Sequence, residues 1–436
     1  MNTQPFTAAS APFLSQARAP SLLCEGAYLA FLLLIFIGLA PFAVRDIAAL
    51  SAGQSAATGT GDAVRQIGFL GVFALIAGSS LLHRGDEAKR SVPLLLVALL
   101  AWCLLSASWA IEPAVSFRRA VLASVIVVSA MMSVSAVGPD RALKLLKFAL
   151  AAVLIINWIS IPLVPQAIHL PGELDPGLVG NWRGLYFHKN IAGSVTAITA
   201  IIFFFSALSS RRLVDVALFV AATLFTIMTH SKSSIGLLPV AIFFGLVYRF
   251  AWRRGIDRAI VGTVAALIAI GCLAAVALDW SAISAALEDP AEFTGRAAIW
   301  QGEITFIRDH LFLGSGFGTF SDTGAMSPLH NYVGDAWVQN VVQGHNAYLQ
   351  LFVTIGGVGF ALAIFALIVS PLRCFLLSNE SDLAFLSLLF SIFAFMVFHE
   401  ALESDFLEGD SPAWIAFLLM LGMLKGLPVE RRQATT

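Results

Sequence analysis

The chain contains 436 residues, of which 58% are hydrophobic and only 12% are charged, and its mean hydropathy is +0.85. Soluble domains carry about twice this charged fraction, so the composition excludes an ordinary soluble protein and indicates a polytopic membrane protein. The formal net charge of −1 points to no class of partner, nucleic acid included. The four cysteines are far apart and lack metal-ligand spacing, so they predict neither a disulfide nor a metal site.

Twelve apolar stretches have the length that a membrane-spanning helix requires, about 20 residues. They lie at roughly 24–44, 66–83, 92–110, 117–137, 143–165, 190–209, 213–230, 234–251, 258–278, 346–374, 383–401 and 412–427. Segment 1–23 is polar and lacks the features of a cleavable signal peptide, so we predict a disordered cytoplasmic tail. We therefore expect an all-α polytopic membrane protein. Its spans 1–9 lie within 24–278, a large loop occupies 279–345, spans 10–12 lie within 346–427, and a C-terminal tail follows at 428–436.

The distribution of Lys and Arg orients these spans, because the cytoplasmic connections of membrane proteins are enriched in basic residues. With the N-terminus in the cytoplasm, every predicted cytoplasmic connection carries a base, and most of the 26 Lys and Arg residues lie on that side. The bases left on the outer side are Arg45, Arg65, Arg118, Arg119, Arg183, Lys189, Lys232, Arg296 and Arg308. We therefore predict that both termini are cytoplasmic and that the large loop, between spans 9 and 10, lies outside.

Several outer bases lie in compact motifs at the ends of spans. The first motif, NWRGLYFHKNIAG at 181–193, places Arg183, His188, Lys189 and Asn190 before the sixth predicted span. The free N–H groups and the dipole of a helix N-terminus attract anions, so basic residues there predict a phosphate or pyrophosphate site. The aromatic residues and the lysine of this motif fit an interfacial membrane anchor equally well.

The second motif, THSKSSIG at 229–236, places Lys232 in a short outer turn. Taken alone, it favours a turn whose serines cap the adjoining helix ends.

The third motif lies at 293–320, where apolar residues recur at helical spacing. The pattern from Arg296 through Trp300 to Arg308 predicts an amphipathic helix on the outer membrane surface. A cation in the first turn opposes the helix dipole, so Arg296 suggests a bound anion there, although solvent exposure would also make it tolerable. The following GSGFG lacks the features of a nucleotide-binding loop and predicts a tight turn.

The fourth motif, QGHNAYLQLFVTIGGVG at 343–359, places His345 and Asn346 at the mouth of the tenth predicted span. A lone histidine in such a position is usually packed or interfacial. Because this one closes the large loop on the side that carries several bases, His345 is also a candidate general base.

The last outer connection, HEALESDFLEGDS at 399–411, is acidic. Its carboxylates could bind a divalent metal or the hydroxyls of a sugar. Their spacing matches no oxygen cage such as an EF-hand, so we expect a solvated acidic loop and no metal site.

Four outer cations, Arg183, Lys189, Lys232 and Arg296, thus share one side of the membrane with a histidine. Arg binds phosphate through two parallel hydrogen bonds and Lys acts as a point charge, so this set suits a diphosphate leaving group. Such cations stabilise negative charge that develops in a transition state, while a neutral histidine takes the proton of an attacking hydroxyl.

Five blocks of the sequence, in order, resemble the O-antigen ligase superfamily. They are AWCLLSASWAIEPAVSFRRA at 101–120, RGLYFHKN, HSKSSIG, GRAAIW…GSGFGTF and GHNAYLQLFVTIGGVG, and the resemblance covers roughly 90–370. It implies a GT-C-like multi-helix fold and a bacterial inner-membrane glycosyltransferase. Such an enzyme uses undecaprenyl-diphosphate-linked oligosaccharides on the periplasmic face, inverts the donor's anomeric centre, and needs no metal or other cofactor.

By position, Arg296 matches the loop arginine of the family and His345 matches its histidine, so the resemblance implies that both are catalytic. Lys232 stands where the ligases generally have an arginine after a serine, and this SK pair resembles the Wzy/ExoQ-type exopolysaccharide-polymerase branch. Lysine keeps the charge but loses the guanidinium fork, which changes how a diphosphate can be held. We predict that substrate binding also involves Arg183, Lys189, Asn190, Asn346 and Trp300.

The resemblance thus implies a polymerase of lipid-linked repeat units, whose acceptor is the growing glycan and whose partners in the pathway would include a flippase and a chain-length regulator. Two alternatives stay open at this point. One is an O-antigen ligase that transfers the glycan to lipid A core or to protein. The other is a transporter, for which twelve spans are common; the predicted spans contain few interior charges, which disfavours it.

Overall fold

The computed structural model describes residues 21–43, 63–171, 176–253, 296–321, 323, 326–334, 344–378 and 382–427. The main helices of these segments, in chain order, are α1 (Leu22–Phe36), α2 (Ala63–Arg84), α3 (Leu94–Ser106), α4 (Pro113–Val137), α5 (Pro139–Leu163), α6 (Lys189–Ser210), α7 (Leu213–Met228), α8 (Lys232–Arg253), α9 (Arg296–Asp309), α10 (Ala347–Leu377), α11 (Leu383–His399) and α12 (Pro412–Lys425). Short helices lie at Gly85–Arg90, Pro165–Ala167, Pro176–Leu178 and Leu329–Tyr332. Within these segments the only extended pairing is an isolated bridge between Ile168 and Trp182.

Of the described helices, six are long and apolar enough to cross a membrane, namely α2, α4, α5, α6, α8 and α10. The helices α1, α3, α7, α11 and α12 are apolar but shorter. Each of these helices overlaps a predicted span, so the prediction of an all-α membrane protein is confirmed. The predicted span at 258–278 lies outside the described residues, and the total of twelve stays a prediction.

The centre of the bundle is formed by helices that are buried on all sides. Every residue from Pro412 to Leu424 of α12 is buried, as is every residue from Ala192 to Phe203 of α6. Peripheral helices expose large apolar side chains instead, among them Val64, Ile67 and Leu70 of α2 and Leu213, Val216 and Leu224 of α7. A helix that is apolar on all sides belongs in a core or a membrane, and the exposed apolar surface of the outer helices fits lipid contact.

The connections between helices gather at two ends of the bundle. At one end Phe42 N–H donates to Leu185 O, Ile111 N–H donates to Ser315 O, and Arg65 pairs with Asp410 at 2.5 Å. All of these segments belong to connections that the sequence predicts to lie outside.

At the other end Arg141 pairs with Glu25 at 2.7 Å, Lys147 pairs with Asp215 at 3.4 Å, and Lys425 donates to Ser91 O. Arg141 and Ser91 belong to predicted cytoplasmic connections. The other four residues lie near the cytoplasmic ends of predicted spans. The two-sided arrangement therefore agrees with the predicted alternation of loops, whereas the compartment that each end faces stays a prediction.

The GSGFG segment forms the predicted tight turn. It makes backbone hydrogen bonds to α10 where that helix is interrupted at Gly356. Gly314 and Gly316 have φ of +69° and +94°, and Gly356 within α10 has φ of +66°, a region that side chains with a Cβ rarely adopt. Ser315 N–H donates to Val353 O, and Gly316 N–H donates to Thr354 O. The break in α10 therefore exposes carbonyls that the loop satisfies, which fixes the loop against the start of α10.

The block at 101–120 holds the same loop from its other side. Trp109 Nε1 donates to Leu313 O, and Ser106 Oγ accepts from Phe317 N–H. Trp102 Nε1 donates to Ile355 O, next to the break in α10. This sequence block thus has a structural role that its apolar composition did not reveal.

Helix α9 confirms the predicted helix at 293–320, and its apolar face packs against protein. Phe306 clusters with Phe320, Leu329 and Val353, which belong to the following loop, the short helix and α10. The opposite face, with Gln301 and Arg308, is exposed. The amphipathic pattern therefore reflects packing on α10, and contact of α9 with the membrane surface stays a prediction.

Candidate functional site

Four helices begin around one carboxylate, that of Glu403 in the connection between α11 and α12. Asn190 is the second residue of α6, Ser233 is the second residue of α8, and Arg296 is the first described residue of α9. His345 precedes Asn346, the N-cap residue of α10. Helix N-termini carry partial positive charge and free N–H groups, so their convergence creates a site for an anion.

The carboxylate of Glu403 contacts a side chain from each of these four helix starts. Its Oε1 lies 2.9 Å from Asn190 Nδ2, and 3.3 Å from both Ser233 Oγ and Arg296 Nη2. Its Oε2 lies 3.2 Å from His345 Nδ1. The Glu403 side chain is only 10% exposed, whereas those of Arg296 and His345 are 21% and 29% exposed. The carboxylate is therefore the buried part of the site, whereas the guanidinium of Arg296 and the imidazole of His345 are partly exposed to solvent.

The electrostatics keep Glu403 ionised. Burial alone would raise its pKa, but the hydrogen bond with His345 and the charges of Arg296 and His345 lower it to about 2. A carboxylate only accepts hydrogen bonds, so the short contact requires His345 Nδ1 to carry a hydrogen. In a neutral imidazole this leaves Nε2 without a proton and able to accept one.

His345 is held in an unusual backbone conformation at the helix start. Its φ is +52°, a value that residues other than glycine seldom adopt, and such strain is frequent at functional sites. The next residue, Asn346, accepts hydrogen bonds from Tyr348 N–H and Leu349 N–H, each at 3.1 Å. Asn346 is therefore an N-cap that starts α10 directly after His345. Its predicted contact with a substrate stays a prediction.

Helix α9 also supports the backbone that precedes His345. Trp300 Nε1 donates to Gly344 O at 2.8 Å, so the residue predicted to bind substrate also fixes the backbone before His345. Glu303 lies beneath the same glycine, because a Cβ on Gly344 would stand 2.2 Å from Glu303 Oε1. Glu303 is fully buried, and burial raises its pKa to about 8.

Two lysines stand beside this network at helix starts. Lys189 is the first residue of α6, and its Nζ lies 3.4 Å from His230 O. Lys232 is the first residue of α8, is exposed, and precedes Ser233, which contacts Glu403. Together with Arg296, the first described residue of α9, they place a cation on three positive helix ends, which favours the binding of an anion.

Arg183 lies deeper than its sequence position suggests. Its side chain is 1% exposed, Nε donates to Gln166 O at 2.6 Å, and Nη1 donates to Phe187 O at 3.0 Å. It thus ties together the two ends of the connection between α5 and α6. This burial favours support of the loop over direct contact with a substrate.

The acidic connection at 399–411 is not the solvated loop that the sequence predicts. Glu400 is 0% exposed and Glu403 is 7% exposed, so this expectation is wrong for both residues, while Glu408 is exposed. Burial of Glu403 is possible because its carboxylate contacts Arg296 and three other hydrogen-bond donors. The sequence signal that could have revealed this role is charge complementarity between this loop and the outer cations.

A comparison with protein families matches residues 217–364 to a family described as O-Antigen ligase. The matched region covers about a third of the chain, from α7 into α10, and contains Lys232, Arg296 and His345. A search of curated proteins finds no match. The similarity supports an enzyme of the O-antigen ligase or polymerase type, a glycosyltransferase-like protein of the membrane that acts on a lipid-linked glycan.

Proposed function

We propose that this protein is a glycosyltransferase of the bacterial inner membrane that polymerises undecaprenyl-diphosphate-linked oligosaccharide repeats on the periplasmic face. The observation that carries the proposal is the set of first-turn cations. Lys189, Lys232 and Arg296 each stand at a positive helix end, beside a histidine whose Nδ1 is paired to a carboxylate. Such a set fits a ligand with two or more negative charges next to a group that loses a proton.

In the proposed reaction the acceptor sugar presents a hydroxyl to His345 Nε2. His345 removes the proton as the hydroxyl oxygen attacks the anomeric carbon of the donor, and Glu403 stabilises the imidazolium that forms, as a carboxylate does in Ser-His-Asp triads. The bond between that carbon and the diphosphate oxygen breaks on the opposite face of the sugar. The anomeric centre is thus inverted in one displacement, by a mechanism that uses no metal.

The diphosphate would be held where its charge increases as the bond breaks. Arg296 keeps donors beyond those that contact Leu402 O and Glu403. Lys232 is exposed at the start of α8, and Lys189 stands next to it across the His230 turn. Preorganised donors of this kind stabilise a departing anion without reorganising during the reaction. Asn190, Asn346, Trp300 and Arg183 would shape the site around these groups.

A second candidate function is supported by the family similarity, since the matched family is described as O-Antigen ligase. In that case the same chemistry would transfer the glycan to lipid A core or to protein. Passage across the membrane is less favoured, because the ion pairs of the described segments lie at the two ends of the bundle rather than along a path through it. A flippase and a chain-length regulator are the partners that the polymerase proposal implies.

The test is an assay with purified protein and authentic donor. The protein is prepared in detergent and incubated with undecaprenyl-diphosphate oligosaccharide from the host, and the length of the lipid-linked products is read on a gel. A ladder of lengthening products supports the polymerase. Transfer that occurs only after lipid A core or protein is added supports the ligase instead. If authentic donor is not consumed with any acceptor, the glycosyltransferase proposal fails.

A further inference from the structure

A second cluster of ionisable side chains lies behind the Glu403 site. His399 ends α11, Glu400 follows it, and Asp405 lies in the same connection. One ligand-type atom from each residue lies within 4.8 Å of the others. His399 Nδ1 and Asp405 Oδ2 are 3.3 Å apart. Two ligands at about 2.0–2.1 Å from a tetrahedral zinc ion are separated by roughly this distance.

The atoms that face one another in this cluster lack protein partners. His399 is 1% exposed and Glu400 is 0% exposed. Neither ring nitrogen of His399 makes a hydrogen bond within the described residues, and neither does Glu400 Oε1. The His399–Asp405 contact is short enough for an ion pair but lacks hydrogen-bond geometry. Buried polar atoms that lie this close together without hydrogen-bond partners are rare in folded proteins and need an explanation, for which a bound ion is one candidate.

The remaining oxygen atoms of the two carboxylates are already engaged. Glu400 Oε2 accepts hydrogen bonds from Asp405 N–H and Phe406 N–H, each at 2.9 Å. Asp405 Oδ1 accepts from Ser411 Oγ at 2.7 Å. Each carboxylate is therefore oriented through one oxygen and presents the other to the cluster, as outer hydrogen bonds do for the ligands of a metal.

A proton alone does not satisfy this arrangement. In the observed geometry, a proton on His399 or on Glu400 still leaves Glu400 Oε1 and both ring nitrogens of His399 without hydrogen-bond partners, and buried polar atoms of this kind cost free energy. A divalent cation would bind the imidazole and both free carboxylate oxygens together. It would also favour the ionised form of Glu400, whose pKa burial otherwise raises.

We propose that His399, Glu400 and Asp405 form a structural site for a divalent transition-metal ion such as Zn²⁺. One imidazole nitrogen and two carboxylate oxygens suit Zn²⁺ better than Mg²⁺ or Ca²⁺, which prefer oxygen ligands throughout. The ion would hold the end of α11 to the loop that follows it. Because Glu403 lies within that loop, the ion positions the carboxylate that contacts His345 without touching the substrate.

The experiment measures metal content and needs no glycan assay, so its result is separate from the outcome for the proposed function. Untagged full-length protein in detergent is stripped with a chelator, supplied with Zn²⁺ in the presence of excess Mg²⁺, desalted and analysed by elemental mass spectrometry. The variants are Glu400→Gln and His399→Ala. Asp410→Asn, which removes a carboxylate of the same connection that pairs with Arg65, is the matched control.

We expect about one zinc ion per chain in the wild type and in Asp410→Asn, and a loss of most of it in Glu400→Gln and His399→Ala. Zinc should also raise the melting temperature of the stripped wild type until one equivalent is added, a measurement that does not depend on the folding of any variant. The absence of zinc from the reloaded wild type, or equal zinc in Glu400→Gln, overturns the proposal.

Discussion

Charged side chains are arranged differently at the two ends of the helix bundle. At one end, the ionic groups form separate pairs, such as Arg141 with Glu25, where the arginine side chain is 47% exposed. At the other end, the buried carboxylate of Glu403 is shared by side chains from four helices. Because a buried charge is costly to desolvate, a network of this kind contributes little net stability and is better explained by chemistry.

The two ends of the bundle also differ in whether their basic residues lie at the ends or at the starts of helices. At the first end several helices finish, and the bases in their last turns, such as Arg84, Arg253 and Lys425, complement the negative ends of the helix dipoles. At the second end Lys189, Lys232 and Arg296 stand at helix starts, where the dipole opposes them. The same residue types therefore complement the helix dipoles at one end and oppose them at the other, where Glu403 pairs with Arg296.

The largest effect is expected for His345→Ala. Loss of a general base typically lowers the rate by about 10²–10⁴-fold, so the variant should form almost no product in the lipid-linked glycan assay while inserting normally into the membrane. His330→Ala, which removes an exposed histidine of the short helix at Leu329–Tyr332, is the matched control and should retain activity. Near-normal product from His345→Ala would refute the assigned base.

Glu403→Gln should have the second largest effect. Glutamine keeps the size of the side chain but cannot stabilise an imidazolium or neutralise Arg296, so we expect kcat to fall by about 10²–10³-fold. Glu408→Gln, an exposed position of the same connection, serves as the control. An unchanged kcat would assign Glu403 a purely structural role.

Substitutions of Lys232 test the proposed binding of the donor's diphosphate. A hydrogen bond to a charged group contributes about 1.5–3 kcal/mol, so Lys232→Ala should raise the KM for the lipid-linked donor by about tenfold or more. Lys232→Arg keeps the charge and should recover most of the loss. Lys144→Ala, an exposed lysine at the opposite end, should leave the donor KM unchanged. A normal KM in Lys232→Ala would place the diphosphate elsewhere.

The buried carboxyl of Glu303 makes the free energy of unfolding depend on pH. Its pKa rises from 4.5 to about 8 on burial, so the folded protein binds this proton more tightly than the unfolded chain. The free energy of unfolding therefore falls as pH rises from about 4.5 to about 8, by on the order of 3–5 kcal/mol if the group acts alone.

The corresponding measurement compares melting temperatures in detergent at pH 5 and pH 8. Glu303→Gln keeps a neutral side chain at both values and should lose less stability across this range than the wild type. Asp309→Asn, a substitution at an exposed acid of the same helix, should retain the wild-type slope. Equal slopes for Glu303→Gln and the wild type would contradict a neutral buried Glu303.

Helix positions were predictable because a helix that crosses a membrane requires about 20 consecutive, mostly apolar residues. The span expected at 190–209 is observed at Lys189–Ser210 and the span at 117–137 at Pro113–Val137, where proline at the first position extends the helix. The break in α10 was not predictable. Gly356 leaves helical geometry because the segment at 311–316 pairs with it, a contact that hydropathy does not encode.

For the candidate site, sequence reasoning placed Lys232, Arg296 and His345 on one side of the membrane, and the structure brings Arg296 and His345 onto one carboxylate. It did not identify that carboxylate. Glu403 lies 58 positions after His345 in a loop with several acids, and only the packing of α11 against α8 and α6 selects it from its neighbours. A residue defined by long-range contacts gives no local signal.

The smallest effect is expected for Glu25→Gln at the opposite end of the bundle. Glu25 and Glu403 each pair with an arginine, at 2.7 Å and 3.3 Å, so the two substitutions remove the same charge from similar contacts. Exposed ion pairs contribute little, and we expect activity of Glu25→Gln within about twofold of the wild type in the same assay that detects the loss in Glu403→Gln. If both variants lost activity equally, charge would act through stability at both ends. A selective loss in Glu403→Gln would instead locate the chemistry at the end where four helices begin.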